Sequence, residues 1–164
     1  MRGEMMAGPL IPPRGEERFR RVLVSEVMSP RLITVTPDAS VADAARLMKK
    51  YDVGSVLVVN EGKAVGIVTE RDIVTRFAAS EADRRPSEVR VSEIMTRDLI
   101  KVGPGKDVIE AAKLMAERNV RRLVVVDKSG DPVGMLTAKD ILRVAPHIVF
   151  LLSESLRIGS SVRV

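Results

Sequence analysis

The chain has no cysteine, no tryptophan and a single histidine, His147, among 164 residues. Without thiols there is no disulfide, iron–sulfur cluster, thiolate zinc site or cysteine nucleophile. One histidine leaves little material for a histidine-rich metal site or for Ser–His–Asp catalysis. These shortages argue against an enzyme, and no metal site is expected. Aromatic residues make up only 2%, so the core must be built from Val, Ile, Leu, Met and Ala, and base stacking has little support. No apolar run reaches the ~18–20 residues that span a bilayer. The stretch Met5 to Ile11, followed by Pro12-Pro13, is too short and too broken for a signal-peptide core, so a cytoplasmic protein is expected. Glutamine is absent and asparagine scarce, which points to a thermophilic source.

What is present suits a compact protein with a real core: 45% of residues are hydrophobic and 30% charged. The net charge is +5 and the pI about 9.9. Basic residues are spread along the chain, with modest clusters at Arg18 to Arg21, Arg84-Arg85 and Arg121-Arg122. A solvated basic surface accounts for them. The alternative is a nucleic-acid-associated or scaffold module using that surface, although no recognition helix, zinc finger or aromatic platform is visible.

The chain repeats itself. Val24 to Met28 matches Val91 to Met95 at an offset of 67, which holds through Pro37 with Pro104, Ala44-Ala45 with Ala111-Ala112, and Val58-Val59 with Val125-Val126. One inserted residue near Ser129 makes the offset 68, so that Gly66, Thr69 and Asp72 match Gly134, Thr137 and Asp140. Each copy reads strand, helix, strand, strand, helix, an α+β pattern. Ser40 and Asp43 form a capping box before an apolar stripe at Val41, Ala44, Ala45 and Met48. Asp107 and Glu110 are expected to repeat the box, before Val108, Ala111, Ala112 and Met115. A buried strand at Ser55 to Val59 and its hairpin partner at Ala64 to Val68 follow. Neither copy, at about sixty residues, buries its faces well alone. The two are expected to pack with pseudo-two-fold symmetry around one shared core, leaving a crevice between the sheets. The organisation predicted is an arm at 1–21, repeats at 22–79 and 91–144, a linker at 80–90 and a C-terminal helix or tail at 145–164.

The most informative segments are Gly66 to Ile73 and Gly134 to Ile141, both of the form Gly-apolar-apolar-Thr-x-x-Asp-apolar at a strand-to-helix junction. Gly allows close approach of a backbone or a ligand. Thr presents a hydroxyl beside a helix N-terminus, where anions are favoured. A carboxylate three residues on suits the vicinal hydroxyls of a ribose. The same Thr and Asp also make a capping box with no ligand at all.

These motifs, with the Met28 and Met95 starts, the Pro37 and Pro104 positions and the two Ala-Ala helices, resemble cystathionine-β-synthase (CBS) domains. The pair, roughly Val22 to Val144, resembles a tandem CBS pair, or Bateman module, standing free of any effector domain. The resemblance implies a non-catalytic regulatory module that binds AMP, ADP, ATP or a related adenosyl ligand, and magnesium can accompany ATP. It implies that Asp72 and Asp140 hold ribose and that Thr69 and Thr137 contact ribose or phosphate beside Gly66 and Gly134. It also implies adenine contacts from Thr34, Val35, Lys101 and Val102, and packing of Val53 and Val120 near the base. The run Arg121-Arg122 resembles the phosphate-contacting strand start of nucleotide-sensing pairs, where the first repeat has Gly54-Ser55. Unequal clefts are therefore expected, the one reached by Arg122 taking the phosphorylated ligand. The resemblance further implies a homodimer of pairs and an unidentified effector protein that reads the ligand state.

At the ends, the Pro-, Gly- and Arg-rich arm is expected to be mobile. The apolar segment Ile148 to Ile158 is expected to pack on its own pair or across a dimer.

Overall fold

A computed structural model describes residues 21–80 and 83–146. The arm before residue 21, His147 and the apolar segment after it lie outside the described residues. The first repeat comprises α1 (Val24–Val27), β1 (Thr34–Val35), α2 (Val41–Tyr51), β2 (Ser55–Asn60), β3 (Lys63–Thr69) and α3 (Glu70–Asp72), which continues as π-helical turns over Ile73–Ala78. The second comprises α4 (Val91–Ile94), β4 (Lys101–Val102), α5 (Val108–Glu117), β5 (Arg122–Val126), β6 (Pro132–Thr137) and α6, helical over 138–146.

Local chemistry explains these elements. Ser40 caps α2: its hydroxyl accepts from the Asp43 N–H, and the Asp43 carboxylate accepts from the Ser40 N–H. The Ser40 hydroxyl and N–H hold the Asp43 carboxyl below its usual pKa. Asp107 caps α5 differently. Its carboxylate accepts from the Ile109 N–H at 2.8 Å, two residues on. The reach-back expected of Glu110 is absent, and that side chain instead faces Lys106 at 4.0 Å. Asp52 and Asn119 end the two helices in the left-handed region, at φ 52° and 51°, which short polar side chains tolerate. Glu61 and Gly62 turn the first hairpin with φ 49° and 77°, as a two-residue hairpin loop requires. The longer second turn is held by Asp127, whose carboxylate accepts from Ser129 and Asp131 N–H groups.

Each repeat forms a three-stranded sheet, ordered β1-β2-β3 and β4-β5-β6, with the first pair parallel and the second antiparallel. One core was expected; the described residues form two. The first joins Val35, Val41, Ala44, Met48, Val56, Val58 and Val68 to Val89, Val91, Ile94 and Met95. The second joins Val102, Ala111, Met115, Leu123, Val125 and Leu136 to Val24. The reason is an exchange. The α1 segment of the first repeat packs on the second, and the α4 segment of the second packs on the first. The contacts obey the pseudo-dyad: Leu23 bridges Asp107 as Arg90 bridges Ser40, and Ser29 bridges Met135 as Thr96 bridges Ile67. Val89, read from the sequence as linker, is therefore a core residue.

Strand alternation places Leu57 and Val124 on the sheet faces opposite those of Val56, Val58, Leu123 and Val125. They are nonetheless 0% and 2% exposed. Val124 lines a cleft whose other wall is the first repeat, and the line between the two repeats, along which the clefts open, is called the seam.

Candidate functional site

Two clefts flank the seam. The larger, about 840 Å³, sets Thr137, Asp140 and Lys139 of the second repeat against Ile33, Val53 and Gly54 of the first. The smaller, about 600 Å³, sets Thr69, Asp72 and Arg71 of the first repeat against Ile100, Val120 and Arg121 of the second. Each cleft thus combines the Thr–Asp motif of one repeat with the strand approach and helix exit of the other. Both volumes are of the size that small-molecule ligands occupy.

The motif itself is a capping box in both repeats. Asp72 Oδ2 accepts from the Thr69 N–H at 2.8 Å and from its hydroxyl at 2.7 Å, and the Asp72 N–H donates to Thr69 Oγ1 at 3.2 Å. Asp140 Oδ2 accepts from Thr137 at 2.9 and 2.6 Å in the same way. The second carboxylate oxygen is left for other partners. Asp72 Oδ1 faces Arg76 Nε at 3.4 Å, and Asp140 Oδ1 faces Arg143 Nη1 at 3.7 Å. A carboxylate has about four acceptor positions, so capping and ligand binding use different oxygens of one group. Arg76 is itself anchored, donating to the Ile94 carbonyl at 2.8 Å. Arg143 is 70% exposed.

Of the residues singled out from the sequence, Val53, Thr137 and Asp140 line the larger cleft, and Thr69, Asp72 and Val120 the smaller. Arg121 and Arg122 line both. Arg122 therefore borders both clefts rather than one, because β5 starts at the wall between them. Thr34, Val35, Lys101 and Val102 line neither cleft. Val35 and Val102 point into the two cores, at 8% and 9% exposure, and alternation turns Thr34 and Lys101 outward. The residues just before them take the lining places: Leu32 and Ile33 in one cleft, Leu99 and Ile100 in the other. Gly66 and Gly134 also line neither. Each lies under a methionine of the exchanged segment: a Cβ on Gly134 would stand 2.6 Å from Met28 Sδ, and one on Gly66 would meet Met95 Sδ.

Charge distinguishes the clefts more than the arginine pair does. The larger carries Arg31, Lys49, Lys139 and Arg143 besides Arg121 and Arg122, against Asp52, Glu70 and Asp140. The smaller adds only Arg71 and Arg76 to the pair, against Glu70, Asp72 and Asp98. Arg31 is steadied by the Tyr51 ring, with its guanidinium carbon 4.7 Å from the ring centre. Glu70 and Lys139 were missed in the sequence. They fill the unspecified positions of the motif, and only the fold shows which of those face the seam. Among the described residues no group of three His, Cys, Asp or Glu is placed to hold a metal ion, and no helix is long and apolar enough to cross a membrane.

Two α+β repeats with exchanged starts and paired inter-repeat clefts define a tandem ligand-binding architecture. The CBS domain model matches residues 24–79 and 91–147, and the chain belongs to the CBS domain family. It is 37% identical to an uncharacterised protein of Methanopyrus kandleri, over 85% of this chain and 70% of that one. It is 35% identical to a CBS domain-containing protein of Bacillus subtilis, over 72% and 81%. It is also 38% identical to the inosine-5′-monophosphate dehydrogenase of Korarchaeum cryptofilum, over 80% of this chain but only 26% of that enzyme. Among solved structures, it is similar to a CBS domain pair in complex with 5′-methylthioadenosine and S-adenosyl-L-methionine, with a TM-score of 0.69, 30% identity, and coverage of 78% and 98%.

Proposed function

We propose that this chain is a non-catalytic regulatory module that takes adenine nucleotides or related adenosyl ligands in the clefts between its CBS repeats. The observation that carries this reading is the joint lining. Each Thr–Asp pair, with one carboxylate oxygen outside the cap, faces apolar residues of the other repeat across a cleft of nucleoside size. The Asp would hold the ribose hydroxyls, Ile33 with Val53 or Ile100 with Val120 would flank the base, and Arg121-Arg122 would meet phosphate. The solved pair holding methylthioadenosine and S-adenosylmethionine supports the ligand class. A ligand touching both repeats favours one relative arrangement of them, which an effector protein then reads.

The test is thermal unfolding against AMP, ADP, ATP, GTP and S-adenosylmethionine, with Asp72→Ala and Asp140→Ala alongside. A ligand at about 100 times its dissociation constant adds about 2.7 kcal/mol. Each Asp variant also loses a cap, about 1 kcal/mol without ligand, so the ligand-induced rise is the quantity compared. A rise with one adenine ligand that one Asp substitution abolishes is expected. No rise with any of the five would reduce the motifs to helix caps.

We further propose a homodimer in which Val74 and Leu142 are covered by a second copy. They occupy equivalent positions after the two motifs, and at 61% and 70% exposure stand out as large apolar side chains left in solvent. Sedimentation should give twice the chain mass, falling to the chain mass in Val74→Glu/Leu142→Glu. A monomeric wild type would refute the dimer.

A further inference from the structure

The two clefts share a wall. Gly54, Glu70, Arg121, Arg122 and Met135 line both. The pseudo-dyad relates Gly54 to Arg121 and Ser55 to Arg122, so a symmetric module would hold one arginine pair for each cleft. This chain has a single pair, and it stands between them. Arg122 Nη2 lies 2.8 Å from where a Gly54 Cβ would be, and Glu70 Oε2 lies 3.1 Å from the same point. The absent side chain at Gly54 is what lets both charged ends reach the wall. Glu70 has no counterpart either, since Ala138 holds its place in the second motif. Among the described residues neither Arg121 nor Arg122 enters an ion pair, so the guanidinium forks are free for an anion.

We infer that both clefts draw on this one arginine pair, so that the chain holds one phosphorylated nucleotide at a time and leaves the other cleft to an adenosyl ligand without phosphate. The inference rests on the clefts being adenosine sites. A guanidinium offers a single planar fork to phosphate oxygens. Two phosphate groups converging on one wall repel each other, and Glu70 adds negative charge at that point. The phosphorylated ligand goes to the larger cleft, where Arg31, Lys49, Lys139 and Arg143 add cations that the smaller cleft lacks.

Calorimetric titration of the full chain tests this with ADP and adenosine as probes. Adenosine alone should bind at two sites per chain and ADP at one, and ADP-saturated protein should still take one adenosine. In Arg122→Ala, ADP affinity should fall about tenfold or more, the loss of a charge-assisted hydrogen bond, with adenosine affinity unchanged. Two ADP per chain of similar affinity would overturn the inference and leave the cleft reading intact. One ADP with no adenosine site remaining would overturn it too, since one cleft would then simply be closed. Wild-type ADP affinity in Arg122→Ala would remove the arginine from the argument. Binding of neither probe would overturn the reading of the clefts, and this inference with it.

Discussion

Gly66 and Gly134 show how one atom fewer fixes the fit between repeats. In the sequence they read as room for a ligand or a backbone at a strand end. The structure fills that room with the methionine that opens the other repeat, and with the backbone beside it. A Cβ on Gly134 would lie 2.9 Å from the Ser29 carbonyl oxygen, and one on Gly66 would lie 3.2 Å from that of Thr96. Those carbonyls are pinned, because Ser29 and Met135 exchange two hydrogen bonds at 2.9 Å, as do Thr96 and Ile67. A thioether end can swing aside, but a carbonyl in a bridge cannot. Overpacking of this kind costs about 1–3 kcal/mol. Gly134→Ala should therefore lower stability by about that much in urea unfolding, and Gly66→Ala by less. Equal and negligible losses would show that the methionines alone absorb the extra carbon. The Thr–Asp motifs were legible as residues and as capping boxes, but only the fold shows that the cap uses one carboxylate oxygen and leaves the other facing an arginine.

The elements written by local chemistry were legible in the sequence. The Ser40 box, the buried stripe positions Val41, Ala44 and Met48 of α2 and Val108, Ala111 and Met115 of α5, and the first hairpin turn depend on neighbours within four residues, whereas Ala45, read into the stripe, is exposed. Where a distant partner decides, the reading failed. The single shared core missed the exchange of α1 and α4, and nothing in the linker's sequence signalled that Val89 would be buried with the first core. The stretch before α4 is held by contacts that no periodicity signals. Arg84 donates to Glu93 at 2.7 Å and to the Glu88 carbonyl at 2.7 Å, and Glu93 accepts from the Arg90 N–H at 2.9 Å. The Arg84 guanidinium, then the Arg90 N–H, draw the Glu93 pKa down from 4.5 to about 2. A carboxyl whose folded pKa is depressed stabilises fully above its unfolded pKa, and loses that effect as pH falls through the folded one. The melting-temperature gap between wild type and Glu93→Gln should thus be level above the unperturbed 4.5 and close as pH falls toward 2. A gap that stays constant across that window would mean the carboxylate charge is not what secures α4.

At the scale of the whole molecule, the exchange makes each repeat incomplete without the other. Val24 belongs in sequence to the first repeat and in space to the core of the second, where it is fully buried. Val91, Ile94 and Met95 make the reciprocal contribution. Paired bridges bind the halves further. If the clefts hold ligand as proposed, this mutual completion is what would carry occupancy at the seam into both repeats. The same coupling governs unfolding. Val24→Ala removes two buried methyl groups and leaves a cavity, a cost of about 2–3 kcal/mol. That loss should not stay within the repeat that contributes the residue. Native-state hydrogen exchange is the direct measurement. In Val24→Ala, the slowest amides of β2 in the first repeat and of β5 in the second should lose protection by the same free energy, because both exchange only through global opening. Loss confined to β5 would mean that the repeats open separately and that the exchanged segments are latches rather than shared core. A ligand bridging the seam would then have to create the coupling between the repeats instead of biasing one already present.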